Sequence, residues 1–156
     1  MENTSLIYIE KDGKYLMMHR TKKINDENHD KWIGVGGKLE DGESPFDSAR
    51  REIKEETGLS GLILSYRGIV TFVSDEYGTE YMHLFTAKGN CGKLIECDEG
   101  ELVWIEKERI YDLPIWEGDK IFFKLLDASA PFFSLKLVYQ KDKLVEHTVE
   151  YNRVGS

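Results

Sequence analysis

Glu52, Glu55 and Glu56 fall within five consecutive residues, and the chain around them specifies one short helix. Ser44 is a good N-cap, and Pro45 sits at the first helical position, where its missing N–H costs nothing. Asp47 lies in the first turn and Gly58 supplies the stop. At 100° per residue, Phe46, Ala49 and Ile53 make one apolar stripe, while the three glutamates occupy an adjoining arc of about 100° with Lys54 pointing away. The pattern predicts a helix with one face that packs and another that collects carboxylates. Two carboxylates about 6 Å apart repel by roughly 0.7 kcal/mol in water and by about 3 kcal/mol at an effective dielectric of 20. Such a cluster is tolerated when it is exposed, protonated or bound to a metal. The preceding Trp32 to Gly37 stretch interleaves an aromatic with glycines, a sign that backbone must approach something closely. Those glycines favour the metal, because Mg²⁺ takes oxygen ligands and is commonly held by a few carboxylates together with substrate phosphates.

The rest of the chain must position that helix. Residues 6–9 and 15–19 are apolar runs separated by Lys11-Asp12-Gly13-Lys14, which reads as a hairpin turn, with Arg20 directly at the strand end. Residues 21–31 are polar and aperiodic and read as an exposed loop. Two further strands are expected over 62–73 and 80–87, joined by a turn at 74–79. A short strand follows at 102–105, preceded by the loop residues Asp98, Glu99 and Gly100. Leu113 to Asp119 leads into a second helix with Ile121, Phe122, Leu125 and Leu126 at helical spacing, and residues 132–139 and 144–151 form a closing hairpin. Mixed strands with two helices give an α/β class, a mixed β-sheet packed between α-helices.

Composition narrows the function classes. A chain of 156 residues, 40% hydrophobic and 32% charged, is the size and make-up of one domain over residues 1–156. No apolar run is long enough to span a bilayer and the N-terminus lacks a secretory signal, so a cytoplasmic protein without membrane contact is expected. Cys91 and Cys97 are then expected to be reduced thiols. The net charge of −8 argues against polymeric nucleic acid as a partner, but a small phosphorylated ligand remains compatible with cations lying between it and the protein. His19, His29, His83 and His147 have no zinc-site spacing and receive no catalytic role.

Gly37, five residues, Glu43, seven residues, Arg51-Glu52-Ile53, one residue, Glu55-Glu56, one residue, Gly58-Leu59 resembles the complete Nudix box, with every charged position filled across residues 37–59. Trp32 to Lys38, Trp116 to Asp119 and the terminal hairpin are similar to the MutT-type branch that removes oxidised purine nucleoside triphosphates. The resemblance implies the Nudix fold and a metal-dependent hydrolase of a purine nucleoside triphosphate. Its expected substrate is 8-oxo-dGTP, cleaved to monophosphate and pyrophosphate in sanitation of the nucleotide pool and hence DNA repair. It also implies Mg²⁺, or Mn²⁺, held by the Gly37 carbonyl, Glu52, Glu55, Glu56 and Glu99. Arg51 would orient Glu52, Glu43 would support the helix start, and Glu56 would take the proton of the attacking water. Arg20 and Lys38 would touch the ligand, Trp116 would stack on the purine, and Asp119 would hydrogen-bond its edge. The plain alternatives are a core aromatic at Trp116 and an ordinary helix cap at Asp119.

Ile33 departs from the branch, standing where the mammalian enzymes have a base-binding Asn. Apolar contact discriminates only modestly, whereas buried hydrogen bonds reject a wrong base strongly. A dinucleoside polyphosphate is the alternative substrate, suggested by the position of Tyr77. ADP-ribose is disfavoured because no Pro occurs between Pro45 and Pro114. A catalytically silent nucleotide-binding module is the rival from another class, and it is disfavoured by the intact set of box carboxylates.

Overall fold

In the computed structural model, residues 1–21, 28 and 30–153 are described. The chain begins with a long strand, β1 (Glu2–Lys11), whose side chains serve two cores. Ile7 and Ile9 point to one face, and Tyr8 to the other. Alternation of period two therefore buries both sides of the same strand, as a sheet covered on each face requires. Asp12 and Gly13, both at positive φ, turn β1 into β2 (Lys14–His19), with Glu10 opposite Tyr15 and Lys11 opposite Lys14.

Two short strands follow, β3 (Trp32–Ile33) and β4 (Val35–Lys38). β3 pairs with β2, whereas β4 runs antiparallel along the edge of β1 and sets Gly37 opposite Ser5 and Lys38 opposite Thr4. Helix α1 (Pro45–Thr57) comes next, then β5 (Ile63–Ser74), β6 (Gly78–Lys88) and β7 (Glu101–Glu106). Helix α2 (Asp119–Asp127) and the hairpin β8 (Phe133–Gln140) and β9 (Lys143–Tyr151) complete the fold. The path through the sheet is β3-β2-β1-β6-β5-β8-β9, with β4 added to β1 and β7 to β2. It is mixed, since β1/β6 and β5/β8 are parallel and the remaining pairs antiparallel.

Helix α1 covers one face with Ala49 and Ile53 against Ile7, Ile9, Val35 and Phe85, and α2 covers the other with Phe122, Phe123 and Leu126 against Tyr8, Leu84 and Leu135. A mixed sheet between helices is the expected arrangement. Ser5 and Ser48, both buried, join α1 to β1 through a hydroxyl–hydroxyl hydrogen bond of 2.9 Å.

The structure adds several details. A 3₁₀ turn over Lys107–Asp112 follows β7, and its short length leaves no helical period to read in the sequence. The glycine-rich stretch makes the close backbone approach expected of it, since a Cβ at Gly36 would stand 1.9 Å from the Ser5 carbonyl oxygen of β1, and it does so as the two short strands β3 and β4. Most of the 21–31 loop, including His29, lies outside the described residues. Cys91 and Cys97 are free thiols, the latter buried. No helix among the described residues is long and apolar enough to cross a membrane.

Candidate active site

The start of α1 is built as its residues dictate. The Ser44 hydroxyl accepts from the Asp47 N–H (3.1 Å) and the Asp47 carboxylate accepts from the Ser44 N–H (3.0 Å), a reciprocal capping box. Gly58 closes the helix in the left-handed conformation, its N–H donating to the Lys54 carbonyl. Between these caps, Arg51 ties the helix to the loop that precedes it. Its Nε and Nη2 grip Glu43 in a bidentate pair (2.7 and 2.9 Å), and Nη2 also donates to the Lys38 carbonyl (3.0 Å). Nη1 reaches Glu52 (2.6 Å) and Glu55 (3.3 Å). The hydrogen bonds from Arg51 and from the Glu40 N–H hold the Glu43 carboxyl down to a pKa of about 2. A planar guanidinium with five donors suits this role in a way that an ammonium does not.

The carboxylates do not share one solvated face. Glu55 is exposed, but Glu52 and Glu56 are only 9% and 7% exposed, because the arc that carries them turns against β4 rather than toward water. Glu56 accepts from the Gly36 N–H (3.3 Å). Burial, with Glu99 and then Glu52 close by, pushes its pKa up to about 9. The like charge is relieved differently along the helix: burial raises the Glu56 carboxyl, while Glu52 and Glu55 are paired with Arg51. At Gly37 a Cβ would stand 2.6 Å from Glu52 Oε1, so the glycine makes room for that carboxylate. Among the described residues no group of three or more His, Cys, Asp or Glu side chains is drawn together at metal-binding separation. Glu52 and Glu55 are instead turned to Arg51, and Glu99 lies 3.6 Å from Arg20 Nη1.

From this end a cleft of about 380 Å³ runs over the edge of the sheet onto the α2 side. Gly37, Lys38, Glu52, Glu99 and Arg20 line one part of it, and Ile33, Tyr8, Phe72, Trp116, Asp119 and Asn28 line another. Trp116 is 5% exposed and packs edge-on against Phe72 and Tyr139 at centroid distances of 5.1 and 5.0 Å. Its indole N–H donates to Asn28 Oδ1 (2.8 Å), and Lys31 Nζ stands 4.7 Å from the ring centroid. Trp116 is thus both a core aromatic and a cleft wall.

Asp119 is 6% exposed and begins α2, yet Gly118 is the N-cap and no side chain caps that helix. Burial pushes the Asp119 carboxyl to about 8 against the opposing influence of Lys31. The upward shift favours the protonated carboxyl, a form that can donate as well as accept toward the cleft.

Of the residues singled out in the sequence, Arg20, Ile33, Gly37, Lys38, Glu52, Glu99, Trp116 and Asp119 line this one cleft, while Arg51, Glu55 and Glu56 do not. Lys38 stands at the rim, paired with Glu2 (3.0 Å). Tyr77 belongs to the β5–β6 turn, half-exposed and away from the cleft. Missed by sequence reasoning were Asn28, Thr4, Leu6, Tyr8, Phe72, Glu80 and Met82. Asn28 gave no signal, being one polar residue in an aperiodic loop. The β1 residues could have been found from the alternation Thr4, Leu6, Tyr8, which sets them on one face of a strand.

The fold and the capped acidic helix beside a nucleotide-sized cleft define a class, and the Nudix domain family model matches residues 2–126, so the chain belongs to the Nudix family of hydrolases. It is similar to the zebrafish (Danio rerio) oxidized purine nucleoside triphosphate hydrolase, 33% identical over 123 residues that cover 77% of this chain and 78% of that one. An uncharacterised Nudix hydrolase of Bacillus subtilis, YvcI, is 33% identical over 116 residues, covering 71% of this chain and 70% of its own. In fold it resembles the crystal structure of a MutT protein from Bacillus halodurans, with a TM-score of 0.84 at 24% identity, covering 96% of this chain and 98% of that one.

Proposed function

We propose that the chain hydrolyses a purine nucleoside triphosphate, with 8-oxo-dGTP as the expected substrate, to the nucleoside monophosphate and pyrophosphate. The observation that carries this reading is the single cleft in which Gly37, Glu52 and Glu99 share walls with Trp116 and a buried Asp119. Similarity to relatives named oxidized purine nucleoside triphosphate hydrolases supports the choice of base.

The donor set fits a hard divalent cation. Glu56 is buried with Glu99 and Glu52 close by, and a divalent cation among these carboxylates would favour their ionised forms. All the donors are oxygens, as Mg²⁺ or Mn²⁺ requires. Glu52, Glu55, Glu56, Glu99 and the Gly37 carbonyl are the proposed ligands. When bound, a divalent ion supplies charge neutralisation at the phosphates and acidifies a water molecule.

The chain's own groups do the rest. Arg51 holds Glu52 in orientation and fixes the loop that carries Lys38. Glu56 accepts the proton of the attacking water as the new P–O bond forms and the bond to pyrophosphate breaks. Arg20 and Lys38 bring positive charge to the phosphates. Trp116 stacks on the base and Asp119 hydrogen-bonds its edge, while Ile33 closes the pocket by apolar contact. The substrate is a small nucleotide and the site of action the cytoplasm. The test is product analysis with native protein: nucleoside monophosphate and pyrophosphate in equal amounts, abolished by a chelator and restored by Mg²⁺. Release of orthophosphate and a diphosphate would overturn the assignment.

A further inference from the structure

Glu80 is a carboxylate in the cleft that the chemistry above does not use. β1 presents Glu2, Thr4, Leu6 and Tyr8 to the cleft at every second residue, and β6 runs parallel beside it with Glu2 opposite Glu80 and Thr4 opposite Met82. Glu80 and Met82 therefore continue the same floor. At about 3.3 Å per residue, Thr4 lies roughly 13 Å from Tyr8 along the strand. The cleft thus has two separate polar stations, one at Tyr8 and Asp119 and one at Thr4 and Glu80. Across the β4 pairing, Thr4 stands opposite Lys38 and Ser5 opposite Gly37, so the second station shares its register with the residues assigned to the phosphates.

The Thr4 hydroxyl donates to Glu80 Oε2 at 2.7 Å. An ionised carboxylate has about four lone-pair sites, so this one bond leaves most of its accepting capacity to the cleft. Burial pushes the Glu80 carboxyl above its ordinary value, and the Thr4 hydrogen bond and Lys38 draw it back. A half-buried acceptor of this kind repels phosphate oxygens and is satisfied by donors.

We propose that the Thr4–Glu80 pair is a specificity element that selects nucleotides presenting an O–H donor from their sugar, which lies between the base at the first station and the phosphates. The inference rests on the cleft being the nucleotide site proposed above. A sugar hydroxyl suits a carboxylate acceptor and lies at this end of the nucleoside, whereas the exocyclic amine of the base belongs to the other station.

The experiment compares kcat/KM of native protein, Glu80→Leu and Glu80→Gln on four triphosphates with Mg²⁺: guanosine, 2′-deoxyguanosine, 2′,3′-dideoxyguanosine and 2′-deoxyinosine. The native protein should prefer the hydroxyl-bearing members of the sugar series, and a Glu80-dependent preference for the amine instead would count against the assignment. The sugar series reads the hydroxyls, and the deoxyguanosine–deoxyinosine pair reads the amine. In Glu80→Leu that preference should fall at least about tenfold, the usual loss for a hydrogen bond to a charged group, with Glu80→Gln intermediate. Equal slowing of all four substrates, or an unchanged ratio, would assign Glu80 a structural role and overturn the proposal. If Glu80→Leu does not fold, the ratio in Glu80→Gln decides. Should native protein release pyrophosphate from none of them, the proposed reaction fails. Glu80 is then read from the binding of the corresponding monophosphates by tryptophan fluorescence without metal, with the same ratios expected and the same result against it.

Discussion

Glu56 shows how far a single residue's role depends on its surroundings. On a solvated face its replacement would be nearly neutral for folding, but it is buried beside Glu52 and Glu99. Its folded pKa of about 9 exceeds the unfolded value of about 4.5, so its contribution to metal-free stability is complete below pH 4.5 and is lost as pH rises through 9. Glu56→Gln resembles the protonated acid. In chelator, the stability of native protein relative to this variant should therefore decline across that window, by up to about 1.4 kcal/mol per pH unit. The measurement is urea unfolding as a function of pH, and a flat difference would show that Glu56 ionises normally. With Mg²⁺ the same variant should lose turnover by orders of magnitude, because it removes the proposed base.

Gly37 makes a complementary case, since it is required for space rather than for φ. Gly37→Ala should displace Glu52 and lower kcat by about a hundredfold, the scale of an ångström's misplacement, with a smaller effect on melting temperature. Unchanged kcat would mean that Glu52 can move without consequence.

At the scale of elements, α1 is the most legible part of the sequence in its caps and the least legible in its surroundings. Ser44, Pro45, Asp47 and Gly58 each signal a cap by local chemistry, and the helix runs Pro45–Thr57 as those signals predict. What local chemistry cannot supply is the neighbour. The same 100° arc is a solvent face beside water and a buried one beside β4, so the burial of Glu52 and Glu56 was beyond a one-dimensional reading. The strands of the hairpins were legible from alternation, whereas β3 and β4 are too short to show a period, and Asn28 reaches Trp116 only through tertiary contact. Ile33 and Trp116, legible from the family resemblance, do meet in one cleft. The docking of α1 on β1 depends on the buried Ser5–Ser48 pair. Ser48→Ala leaves the Ser5 hydroxyl without this partner and should cost about 1–3 kcal/mol in urea unfolding. A loss below about 0.5 kcal/mol would show that apolar packing alone seats the helix.

For the molecule as a whole, the edge formed by β4 along β1 is the organising feature. It lets one cleft communicate with both sides of the sheet: carboxylates from the α1 side meet an aromatic and acidic pocket from the α2 side. In the proposed assignment the groups for hydrolysis lie at the α1 end of the cleft and those for the base at the Trp116 end, so reaction and selectivity are separable. A chain of net charge −8 that accepts a polyphosphate must also do so with cations between the two. The central claim is that this cleft hydrolyses an oxidised purine nucleoside triphosphate. It is tested most directly by kcat/KM of the native protein, with Mg²⁺, on 8-oxo-dGTP, dGTP, a dinucleoside polyphosphate and ADP-ribose. The account predicts the highest value for 8-oxo-dGTP, and a higher value for any of the other three substrates would contradict it.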